Sequence, residues 1–202
     1  MRYEVYRGHY KVGHNCFPMG CMGGFPYTMA LCFEEEDLLH GISNLVYSQA
    51  DVARVNDNYG HDILGENAGH YLSQFKDICE SENVDRVRAK IRLALNEVEM
   101  MLFKYTKDID GSFLPLDDAP VEPTDYIMLI NMPRPFSETS ARFLLNAVHE
   151  YIVSSVIEDW AGLVFAEGMS VWSRNKELAK ENIKRIRVTN AVCDHRVKSS
   201  LI

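Results

Sequence analysis

Five residues near the N-terminus, His9, His14, Cys16, Cys21 and Cys32, are of the types that hold zinc. Most of them fall in a segment rich in Gly, Pro, Met and Cys, GHNCFPMGCMGGFPYTMA over 13–30. Thiolate and imidazole ligands on such a segment could wrap a tetrahedral ion. The spacing favours another reading. Four residues separate Cys16 from Cys21, and no closely spaced cysteine pair follows. The segment reads better as an extended arm whose Phe17, Met19, Met22, Phe25 and Tyr27 pack on a neighbour. Methionines and aromatics make adaptable contact surfaces. No metal and no cofactor is expected.

A second set is His40 with the adjacent pair His61-Asp62. A helical chain carrying such residues, with a remote carboxylate for which Asp159 is the candidate, resembles metal-dependent phosphohydrolases of the HD type. The resemblance implies a divalent ion held by His40, His61 and Asp62 that activates water. This is the alternative reading of the chain. It departs from that family's pattern where Asn58-Tyr59-Gly60, rather than an apolar helix, precedes the pair. The competing account makes Asp62 a helix cap.

His149-Glu150 is half of a metalloprotease motif, but Val153 stands where the second histidine must be, so that chemistry is excluded. His149 is expected as a hydrogen-bonded residue bordering an apolar stripe. Glu158-Asp159 is expected as a solvated edge or an intersubunit salt bridge. The glycine-rich phosphate loop, the dinucleotide fingerprint and the nucleophile elbow of serine hydrolases are all missing from the sequence. No catalytic residue is assigned, and the chain is read as a non-enzyme.

The elements that must position these residues are mostly helical. Residues 1–12 suggest a strand. Glu34 to Asp37 open a helix, because carboxylates in a first turn complement the helix dipole. Its apolar run from Leu38 to Val55 ends at Asn56–Gly60. A second helix is expected over about 62–79. The third has the cleanest period: Val84, Val87, Ile91, Ala94/Leu95, Val98, Met101/Leu102 and Tyr105 form a heptad-like seam. Residues 108–125, with three prolines and many acids, read as a loop, and 126–132 (YIMLINM) as a short strand. A long helix should start after Ser137 as N-cap, run to about Glu167 and break at Gly168. A final helix is expected over 170–188. The expected class is mainly α: about five helices in a bundle, short β segments and an extended N-terminal arm. Its parts are the strand and arm (1–33), a helical domain (34–190) and a tail (191–202).

Bulk properties agree. A chain of 202 residues, 47% hydrophobic and 25% charged, suits one soluble domain with extensions. Five cysteines, an odd number, read as reduced thiols. The N-terminal residues lack a signal peptide's apolar segment, and no apolar run spans a bilayer, so synthesis in the cytoplasm without membrane contact is expected. The net charge is −8, unevenly spread. From Arg174 to Lys198, eight basic residues face three acidic ones, a local +5 that leaves −13 for the remainder. The negative net charge argues against nucleic-acid binding by the whole surface. The basic helix could hold nucleic acid, or the acidic flank of a neighbouring subunit, or be a solvated face.

The long helix, FSETSARFLLNAVHEYIVSSVIEDW over 136–160, has an apolar face too broad for a single neighbour. Its excess, around Tyr151 and Trp160, is expected to meet a neighbouring chain. With the preceding DYIMLINMPRP it resembles a pattern of small virion proteins of tailed phages: an apolar strand, a Met-Pro turn, then a helix with a His-Glu-Tyr centre and an Asp-Trp end. The resemblance covers about residues 125–160. It implies a head-to-tail connector of the virion neck, a homo-oligomeric ring that meets portal and tail proteins and touches passing DNA, with no catalytic residues. Besides the arm, the residues expected at interfaces are Tyr151, Trp160, Trp172, Arg174, Lys180, Lys184, Arg185 and Arg187.

Overall fold

The computed structural model describes residues 1–7, 10–12, 27–58, 75–106, 125–132, 138–164 and 166–198. Among these the protein is mainly α-helical, with one four-stranded sheet. The strands are β1 (Arg2–Arg7), β2 (Tyr10–Val12), β3 (Tyr27–Glu34) and β4 (Asp125–Met132). The helices are α1 (Glu35–Asn58), α2 (Val84–Met101), the single turn α3 (Phe103–Thr106), α4 (Glu138–Val164) and α5 (Ala166–Lys198). A 3-10 turn spans Asp77–Cys79. The chain divides into two compact units: Met1–Glu35, Asn96–His149 and Ala179–Ile202 form one, Glu36–Leu95 and Glu150–Leu178 the other.

The first unit holds the sheet, whose order is β2-β1-β3-β4 with every pair antiparallel. β3 is central, pairing Tyr3 with Leu31 on one side and Leu31 with Met128 on the other. Six successive β3 residues, Thr28 to Phe33, are buried, so both faces of this strand are covered. β4 is an edge strand and alternates instead. Tyr126, Met128 and Ile130 are buried while Ile127 is exposed, the period-two pattern of a half-buried strand. Thr28 Oγ1 donates to Asn131 Oδ1 across the β3–β4 pair at 3.2 Å. Tyr126 Oη donates to Glu35 Oε2 at 3.1 Å and ties β4 to the first residue of α1. Among the described residues, Val98, Ala141, Leu144, Leu145, Ala147, Val148, Ala179, Ile183 and Ile186 are the buried helical residues of this unit, and Leu102 is buried in the turn after α2.

The second unit is helical. Leu38, Ile42, Val46 and Ala50 line the buried face of α1 at four-residue spacing. Val87, Ile91, Ala94 and Leu95 do the same on α2, so the predicted seam is the buried one. In α4, seven consecutive residues from Tyr151 to Ile157 are buried. Seven residues turn a helix nearly twice, so this stretch is enclosed on every side. Each fully buried Ile or Val there contributes about 1.5–3 kcal/mol relative to exposure.

Five boundaries differ from expectation. The arm predicted over 13–30 gives way at Tyr27, where β3 starts, because Tyr, Thr, Leu, Cys and Phe suit a central strand. The rest of that segment lies outside the described residues. α2 ends at Met101 rather than Tyr105, and Leu102 turns the chain into α3. Of the helix predicted over 62–79, the described part tightens into the 3-10 turn, closed by Glu80 N–H donating to the Asp77 carbonyl at 3.1 Å. Gly168 does not break the long helix. α4 stops at Val164, earlier than Glu167, and Gly168 lies inside α5, whose first turn tolerates the glycine cost because few backbone bonds depend on it there. α5 is also longer than 170–188, reaching Lys198.

Candidate functional site

Of the two predicted metal sets, only Cys32, His40 and the candidate carboxylate Asp159 lie among the described residues. Cys32 is buried on β3 as a reduced thiol. His9, His14, Cys16 and Cys21 lie outside the described residues, as do His61 and Asp62. His40 is exposed on α1, its Nε2 3.0 Å from Asn44 Nδ2, one helical turn along. The described residues contain no group of three His, Cys, Asp or Glu placed to hold an ion.

Asp159 is engaged within its own unit. It accepts from Arg86 Nη2 at 3.0 Å and lies 3.4 Å from Lys90 Nζ, two cations one turn apart on α2. The neighbouring Glu158 accepts from Lys176 Nζ of α5 at 2.9 Å. The carboxylate pair read as an edge or intersubunit bridge therefore clamps α4 to α2 and to α5 inside one chain. Both partners of the Lys176–Glu158 pair are largely buried, so this bridge is screened less than a surface pair.

The tryptophans are likewise taken up within the chain. Trp160 Nε1 donates to the Phe75 carbonyl at 3.0 Å. Trp172 Nε1 donates to Gln49 Oε1 and joins α5 to α1. Tyr151 is only 2% exposed. These three side chains therefore present almost no surface to a neighbour in this conformation. Phe17, Met19, Met22 and Phe25 lie outside the described residues. On α5, Arg174, Lys184 and Arg185 are exposed and Lys180 is half-buried. Lys184 pairs with Glu181 at 3.0 Å, a contact that holds the Glu181 carboxyl below its ordinary range through its hydrogen bond and charge. Arg187 lies on α5, but its side chain is outside the described residues.

The surface that sequence reasoning missed is apolar. Leu93 (55% exposed) and Met100 (72%) project from α2, and Val171 (54%) and Leu178 (55%) from α5. Each pair is seven residues apart, so each lies along one side of its helix. A signal was available: Leu93 and Met100 fall outside the Val84–Tyr105 seam, at a spacing that itself repeats. Phe103 and Phe143 are also exposed. Among the described residues, these exposed apolar side chains are the features left for a candidate functional site. Among the described residues no helix is long and apolar enough to cross a membrane. Comparison with protein-family models, with curated proteins and with solved structures finds no match to this chain.

Proposed function

We propose that this chain is a non-enzymatic structural subunit of a tailed-phage virion, a head-to-tail connector that assembles into a ring between portal and tail. The observation that carries the reading is the pair of exposed apolar rows, Leu93/Met100 and Val171/Leu178, on helices whose inner faces are already buried. Apolar side chains scattered singly over a surface need no explanation. Two aligned rows do, and protein contact is their usual role.

The charge distribution supports the same reading. A head-to-tail ring joins unlike patches, and an acidic body with a basic α5 supplies them. A net charge of −8 also suits a channel through which DNA slides, since cationic walls would hold it. The resemblance of residues 125–160 to neck proteins supplies the virion setting, with portal and tail proteins as partners after synthesis in the host cytoplasm. The test is mass in solution, by native mass spectrometry or light scattering, alone and mixed with a portal protein. A closed ring or a portal complex is expected. A chain that stays monomeric under every condition and never joins a portal overturns the reading.

A further inference from the structure

The two exposed rows match each other. On α2 the order is Leu93, Glu97, Met100, with the charge four residues after the first apolar residue and three before the second. On α5 it is Val171, Arg174, Leu178, with the charge three after the first and four before the second. All six are exposed. Each triplet lies on one unbroken helix, so its spacing is set by that helix alone, about 10.5 Å from end to end. When two such helices run antiparallel, Leu93 lies opposite Leu178, Met100 opposite Val171, and Glu97 opposite Arg174. The match ends at these three pairs, since the next positions, Lys90 and Glu181, are held by Asp159 and Lys184 within the chain.

From this we infer that the occupant of the α2 row is the α5 row of a second copy of this chain, docked antiparallel. Charge complementarity selects the occupant, since the acid lies on one helix and the base on the other, in register. Like pairings are disfavoured: α5 against α5 in the corresponding antiparallel register brings the two arginines near the axis, and α2 against α2 brings two carboxylates together. The patch on one copy therefore differs from the patch it meets. Such heterologous contacts propagate into a ring or an open filament and do not stop at a two-fold dimer. The pairing rests on the assembly reading above and names the two surfaces that would join.

Charge reversal tests it. Glu97→Arg and Arg174→Glu are made singly and together, and mass is read against wild type at equal concentration. Each single variant should weaken association about tenfold or more, because like charges then face each other, and the double variant should recover it. As a second readout, copies carrying Leu93→Cys are mixed with copies carrying Leu178→Cys under oxidation. A heterodimeric cross-link should form in the mixture, beyond whatever each variant forms alone. If wild type assembles while the single reversals leave its mass unchanged, or the cysteine mixture gives no such cross-link, the α2–α5 pairing is wrong and the assembly reading stands. If wild type itself never assembles, the assembly reading fails and the pairing with it.

Discussion

Trp160 and the Phe75 carbonyl, 3.0 Å apart, fasten α4 to the chain just before the 3-10 turn. The indole is buried, so this bond forms away from competing water. Trp160→Phe keeps most of the ring volume and removes the donor. It should lower the unfolding free energy by about 1–2 kcal/mol. Trp160→Ala adds a cavity and should cost about 3–5 kcal/mol. Urea unfolding followed by far-ultraviolet circular dichroism measures both. Equal stability of Trp160→Phe and wild type would show that the bond contributes nothing.

Ser155 is 1% exposed on α4, and its Oγ has no hydrogen-bond partner. Burying an unpaired hydroxyl carries a desolvation cost of about 1–3 kcal/mol. Ser155→Ala removes that group and raises helix propensity. The variant should be at least as stable as wild type and up to about 2 kcal/mol more so. A clear loss of stability in thermal unfolding would mean that the hydroxyl is satisfied in solution.

Burial pushes the Cys79 thiol up to about 11, against a smaller lowering by the Ser43 backbone. The sulfur donates to the Leu39 carbonyl of α1 at 3.4 Å. At pH 8 its thiolate fraction should be about a hundredfold below that of an ordinary cysteine, and alkylation correspondingly slow. The folded state keeps this proton at pH values where the unfolded chain has lost it. Stability from this group is therefore intact below pH 9.0, the ordinary value, and is lost as pH rises through about 11. Cys79→Ala should flatten that part of the stability profile. Rapid alkylation of Cys79 at neutral pH, read by peptide mass mapping, would contradict the assignment.

Gly41 sits mid-helix in α1, and a Cβ added there meets nothing within 4 Å. Gly41→Ala should raise stability by about 0.5–1 kcal/mol, because the unfolded chain loses freedom and no neighbour is displaced. Gly162 makes a contrast, since a Cβ there lies 3.4 Å from Met169 Sδ, in ordinary contact. Its gain should be equal or smaller. A fall in melting temperature for Gly41→Ala would show that the helix needs the glycine for another reason.

Periodicity made some elements legible and hid others. Val87, Ile91, Ala94, Leu95, Val98 and Leu102 are buried as their spacing predicts, since an amphipathic helix writes its inner face into the sequence. β4 was legible as a short apolar run, YIMLINM, followed by two prolines. β3 was not, because a strand covered on both faces carries no alternation, and Tyr27 to Ala30 follow directly on glycines and a proline. The start of α5 was misplaced because Gly168 looks like a stop signal wherever it stands. As for the contact surfaces, Trp160 and Trp172 drew attention by size, yet both are spent on Phe75 and Gln49 within the chain. Leu93 and Leu178 are unremarkable residues whose exposure becomes visible only once their helices have neighbours.

The enclosed stretch from Tyr151 to Ile157 constrains how the molecule breathes. A helix with one wet side can fray or roll while keeping its core contacts. A helix with none has no intermediate position to occupy. Its amide protons should exchange with solvent only when the surrounding unit opens as a whole, on the timescale of global unfolding. That makes this segment the slowest clock in the molecule.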